Sequence, residues 1–254
     1  MKAFLAELKR RNTLLYWYGV LSFAGAFICI LMTQLSGTIV LGINAWIKPA
    51  KFFISVAIYC WTMGWIMHYL IAQHKVSRFS KMVLLVMTYE LFVITWQAAN
   101  GRLSHFNITT VFYRLLFIFM GIAISVLAAW TGYIGYLFFK QKRFTVSNAY
   151  IWGIRLGIIL FVIFSFEGGV MGMHLAHTVG APDGGEGLPG INWSKRYGDL
   201  RIAHFVGMHA LQILPVFGFF IAKNKRSVHL FAVAYFLLTT LLFIQAAMGI
   251  PLLF

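Results

Sequence analysis

Glu167, His174 and His177 follow one another at intervals of seven and three in the run FEGGVMGMHLAHTVGAPDGGEGLP, residues 166–189. At about 100° per residue on a helix the three share a face, with Met171 between them. An ionisable group in hydrocarbon is costly unless it meets protein or water, so each is a functional candidate. Histidines at i and i+3 stand about 60° apart and can approach one ion together. His204, in GDLRIAHFVGMHALQILP, is the expected third nitrogen.

Three imidazoles with an open position suit copper, zinc or iron. Met171, Met173 and Met208 nearby would favour copper(I), which takes thioether ligands. Haem b is the alternative cofactor, with His174 or His177 paired to His204 or His209 and with Gly168, Gly169 and Gly172 admitting a flat macrocycle. Small residues at that spacing also serve helix–helix packing, and the sequence contains no Cys-x-x-Cys-His attachment motif. Glu167 lies about 10 Å from His174 along a helix, too deep for the same ion but suited to a proton relay.

Two further polar stripes accompany the first. Arg201, His204, Met208 and Gln212 span about 80° of one helix face, with His209 to the side, and Arg201 is the expected clamp for an anionic group. Glu90 lies near mid-depth in MVLLVMTYELFVITWQAANG, with Gln97 and Asn100 on the same side. Glu90 and Glu167 are expected to move or hold protons. Trp96, Trp193 and Tyr197 are expected at the mouth of the cavity formed if the three stripes converge.

The elements that would position these residues follow from composition. The chain of 254 residues is 61% hydrophobic and 11% charged, more apolar than a domain with a polar exterior can be. Seven runs reach the roughly 20 residues needed to span a bilayer. They cover 14–35, 52–73, 82–100, 111–139, 149–177, 200–222 and 229–254, which predicts an all-α integral membrane bundle forming one domain over 1–254. The basic opening MKAFLAELKRRN has no small-residue cleavage site after it, so the first run reads as a retained helix.

The net charge of +15 would point to nucleic acid in a soluble protein. Here the basic residues cluster between apolar runs, at 2–11, 75–81, 140–143 and 223–226, which implies a lipid partner and no nucleic acid. By the positive-inside bias, these segments place the N-terminus in the cytoplasm and the C-terminus outside. Cys29 and Cys60 fall inside spans and read as small core residues. The last span, 229–254, contains no lysine, which excludes a retinal Schiff base. The histidine cluster lies toward the outer face, unlike the cytoplasm-facing zinc site of progestin and adipoQ receptors.

The leading reading at this level is a redox-active metalloprotein, in effect a membrane oxidoreductase with an electron-transfer or assembly partner. The alternative is a transporter or seven-helix sensor using the same cavity without a metal. The fragments INAWIKPAKF, GRLSHFN, HTVGAPDGGEGLPGINWS and GDLRIAHFVGMHALQ resemble a bacterial multi-pass membrane family that has no assigned activity. The resemblance runs from the second to the sixth span. It implies a bacterial cytoplasmic (inner) membrane and transfers no cofactor or substrate.

Overall fold

The computed structural model describes residues 2–252 and is helical throughout its long segments. In order they are α1 (Lys2–Arg11), α2 (Thr13–Leu35), α3 (Ile47–Ile66), α4 (Gln73–Ala99), α5 (Val111–Lys140), α6 (Asn148–His174), α7 (Leu200–Met208), α8 (Ala210–Phe220) and α9 (Lys225–Ala247). A 3-10 turn carries α3 on to Tyr69. Two small antiparallel pairs, β1 (Ile39–Val40) with β2 (Ile43–Asn44) and β3 (Thr178–Val179) with β4 (Gly198–Asp199), close connecting loops. Six helical segments are long and apolar enough to cross a membrane, and α7 with α8, bent by 40°, would make a seventh. The chain is a multi-pass, all-α membrane protein.

The helix ends differ from expectation for local reasons. The second span begins at Ile47, five residues early, because Pro49 lies in the first turn, where its missing N–H costs nothing. The third begins at Gln73 because its basic residues, Lys75, Arg78 and Lys81, are good helix formers whose long stems keep their charges at the rim. The fifth stops at His174, where Leu175 takes the left-handed conformation (φ 52°) and its N–H caps Met171 O. The sixth is divided at His209. Pro215 lies beyond the break, inside α8, where it offers no N–H to Leu211 O.

The chain forms two compact units, Met1–Leu127 and Ala128–Phe254. In the first, α2, α3 and α4 pack together. The helix α1 is an addition that span counting does not reveal. It binds the unit through Leu8, fully buried, and through Phe4, stacked 4.9 Å from Trp65. Its Arg11 guanidinium lies 3.9 Å from the centre of the Trp65 ring. Asn12 then ends α1 and starts α2: its Oδ1 accepts from Leu15 N at 3.0 Å, and its Nδ2 donates to Ser80 Oγ at 2.9 Å. Cys29 and Cys60 are buried free thiols.

In the second unit, α6 is the axis, packed on α7, α8 and α9. Leu160, Phe164, Ala210, Leu214, Ala232 and Tyr235 form its core. At the end bearing Lys140, Arg155 donates from Nε and NH2 to Phe138 O at 3.1 and 2.8 Å. It thereby places a cation on the C-terminal carbonyls of α5, where the helix dipole favours one. The α6–α8 contact is close because α6 presents glycines. A Cβ on Gly153 would stand 2.5 Å from Leu214 O, and one on Gly157 would stand 2.8 Å from Ala210 O. Backbone cannot give way as a side-chain tip can. Gly153→Leu is therefore expected to destabilise the protein by about 2 kcal/mol or more, seen as a lower unfolding midpoint in detergent, whereas Gly169→Ala, facing open space, should cost about 1 kcal/mol at most.

Candidate functional site

The polar residues of the second unit assemble where α6 ends and α7 begins. The two helices approach through reciprocal glycines. The His204 imidazole lies over Gly168, whose Cβ would stand 2.6 Å from His204 Cε1, and the Phe164 ring lies against Gly207. The space that Gly168 leaves is thus filled by an imidazole and does not admit a macrocycle at that point.

His204 Nδ1 stands 2.7 Å from Phe164 O. A carbonyl only accepts, so Nδ1 carries the hydrogen, and in the neutral ring Nε2 is left as an acceptor. The Glu167 carboxylate is beside it, with Oε2 3.4 Å from His204 Nδ1. Its side chain is 9% exposed, and neither oxygen accepts a hydrogen bond. Buried polar atoms are almost always satisfied, so this carboxylate is an exception with a reason to be sought. Met171 is buried one turn toward the loop, and Met173 points away, largely exposed.

The loop between α6 and α7 is a folded cap, not a solvated tether. Asp183 is its first knot. Its carboxylate accepts from His177 N (3.0 Å) and Thr178 N (2.9 Å) and contacts His177 Nδ1 at 2.5 Å. Burial opposes charge on Asp183, but the His177 ring and these amides outweigh it and hold the carboxyl well below the usual carboxylate range. Asp199 is the second knot. Fully buried, it accepts from Ser194 N at 2.8 Å, from Arg201 N at 3.1 Å and from Arg201 Nε at 2.8 Å. It is therefore both the helix cap and the ion-pair partner that its position before the helix suggests.

These knots redistribute the expected site. His177 lies beyond the end of α6, so the 60° helical relation to His174 does not hold, and its Nδ1 faces Asp183. His174, the last residue of α6, is exposed. Arg201 directs Nε to Asp199 and NH2 to both Asp199 and Asn192 O, so its guanidinium closes the cap instead of waiting for an anion. His209 occupies the break between α7 and α8, with Nδ1 2.7 Å from Phe205 O and its ring 4.1 Å from that of Phe205. Trp193 packs on the same Phe205 ring, 5.6 Å away, and Tyr197 is exposed on the cap. Among the described residues no three His, Cys, Asp or Glu side chains gather closely enough to hold a metal ion.

In the first unit, Glu90 and Gln97 lie on the buried face of α4, 5% and 1% exposed, and Oε1 of each lacks a hydrogen-bond partner. Trp96 packs against Phe112 and Tyr113. Thr110 Oγ1 accepts from the first turn of α5, at Tyr113 N.

A pattern emerges across the six acidic residues of the chain. The four outside the spans are all tied down. Glu7 is held down at about 2 by the Arg10 and Arg11 guanidiniums, Asp183 and Asp199 are the knots above, and Glu186 pairs with Lys195 at 2.9 Å. The two within spans, Glu90 and Glu167, keep unsatisfied oxygens. Two features were hidden from sequence reasoning: the folded cap, for which Asp183 in a Gly/Pro-rich turn was the available signal, and the break in the sixth span at His209.

Compared with protein-family models, with curated proteins and with solved structures, the chain shows no match. The geometry of the second unit therefore carries the functional reading by itself.

The Asp183 knot yields a pH prediction. A carboxyl depressed in the folded cap stabilises it above the ordinary range near 4, and this stabilisation is lost as the pH falls further, toward the depressed value. Protection of the His177 and Thr178 amides from hydrogen exchange, relative to the unfolded chain at the same pH, should thus be high at neutral pH and fall progressively below about pH 4. Asp183→Asn should show the low protection already at neutral pH.

Proposed function

We propose that this chain is a cation-handling membrane transporter of the bacterial inner membrane. On this reading the chain crosses seven times, with the N-terminus in the cytoplasm, the C-terminus outside and the site in the outer half of the bilayer, an orientation that the basic clusters support. The observation that carries the reading is the Glu167 carboxylate, buried against His204 with both oxygens unsatisfied. A carboxylate in that setting calls for a counter-ion or a proton, and one that exchanges is the working part of a transporter.

The divided span supports the same reading. Transporters commonly interrupt a helix at the depth of the site, and here Gly207, two residues before the break at His209, packs on Phe164. Tyr235 Oη donates to Val206 O at 2.5 Å, supplying a partner to backbone in the turn that precedes the break. Glu90, unsatisfied in the first unit, is assigned a proton-holding role. The basic clusters at 2–11, 75–81, 140–143 and 223–226 support the orientation.

The second reading, a redox-active protein binding haem or a transition metal, has one observation in its favour. His177 and His204 each engage Nδ1, with a carboxylate and a carbonyl respectively, as metal-ligating imidazoles do while offering Nε2. The scattering of the candidate ligands favours the transporter.

Proteoliposomes carrying a pH-sensitive dye decide between them. The wild-type protein is expected to discharge an imposed pH gradient, and Glu167→Gln to slow this by about tenfold or more, the scale of a lost essential proton-transfer group. A wild-type protein that leaves the gradient intact would remove the transporter reading. A Soret band, or stoichiometric metal in the purified protein, would install the second.

A further inference from the structure

The unsatisfied atoms of the second-unit site are all acceptors. Glu167 offers Oε1 and Oε2. His204, with Nδ1 committed to Phe164 O, offers Nε2. The nearest cationic side chain on α7, Arg201, is spent on Asp199 and Asn192. The site therefore presents negative charge and lone pairs and lacks a hydrogen-bond donor of its own.

We infer that the Glu167–His204 pair recognises an ammonium group, either the free ion or the head of a protonated amine, which brings the missing N–H donors with it. The inference rests on the cation-handling reading and names the class of cation. Three competing classes fit less well. An anion would face a carboxylate with no free guanidinium to offset it. A transition metal would want three or four ligands, and no such group gathers among the described residues. Sodium or potassium is a hard cation served by oxygens, and an imidazole nitrogen is a poor donor to it, whereas the same nitrogen accepts an N–H well.

Glu167 Oε2 is 3.4 Å from His204 Nδ1, so the imidazole and the carboxylate border the same space. A primary ammonium carries three N–H groups, enough to bond the unsatisfied Glu167 oxygens at about 2.9 Å each and to turn one more toward the imidazole. Phe164 and Met171, both buried and within about one turn of Glu167 on α6, keep the surroundings apolar, where a charge-assisted bond is strong.

The test is thermal unfolding of the purified full-length protein in detergent at fixed pH and ionic strength. Ammonium chloride and methylammonium chloride are titrated against sodium chloride, potassium chloride, zinc chloride and sodium sulfate. One or both ammonium salts should raise the midpoint saturably, by about 2–4 °C well above the dissociation constant. A response to ammonium alone assigns the free ion, and a stronger response to methylammonium assigns an amine. Glu167→Gln should abolish the response, Glu167→Asp should weaken it, and Glu186→Gln, exposed on the cap, should leave it unchanged. Equal stabilisation by sodium, stabilisation by zinc or sulfate alone, or an undiminished response in Glu167→Gln would overturn the inference. Saturable ammonium binding without gradient discharge would keep this inference and remove the transporter. Discharge that depends on Glu167, with no ammonium response, would do the reverse.

Discussion

Hydrocarbon supplies no hydrogen-bond partner, so a membrane protein must satisfy each polar group from within its own chain. The six carboxyls divide on this constraint. Outside the spans, acids can be tied to arginine, lysine, histidine or backbone N–H, and all four are. Inside them the surrounding residues are apolar, and Glu90 and Glu167 keep bare oxygens. A chain with 21 basic residues has enough cations to pair every acid. These two are the acids left with unsatisfied oxygens among the described residues.

The cap and the site depend on one another through α7. Asp199 fixes the start of that helix and holds Arg201, which also ties down Asn192 in the cap. With the first turn of α7 anchored, His204 falls against Gly168 and can reach Phe164 O. The cap packs in turn on the end of α9, where a Cβ on Gly198 would overlap Ala246 O. The polar loop is thus a structural clamp whose consequence is the position of one imidazole. Its arginine is consumed in the process, which removes the anion clamp that residue type and position suggested.

Much of this protein could be read without coordinates. The number and approximate place of the spans follow from the 20-residue length of apolar runs, and Asp199 is recognisable as a cap from its place before an apolar helix. Glu90, Gln97 and Glu167 are legible as buried polar groups, and His204 as a half-buried one, because such residues in hydrocarbon carry a cost that is seldom incurred without reason. The helix ends were less visible, since local capping by Leu175 and the first-turn tolerance of Pro49 shift a boundary by several residues without changing hydropathy.

What only the tertiary structure decided is which histidine meets which partner. Residue spacing places His174 and His177 together on a helix face, but the helix stops between them because Leu175 adopts the left-handed conformation, and Asp183 then takes His177. Spacing likewise treats glycines as room for a cofactor, whereas Gly168 is filled by His204 from another helix. The apolar runs and the place of a polar group along one of them depend on residues close in sequence, so the sequence by itself determined them. The partner of a side chain depends on how helices distant in sequence pack, and here two glycine contacts and two aspartate knots made that choice.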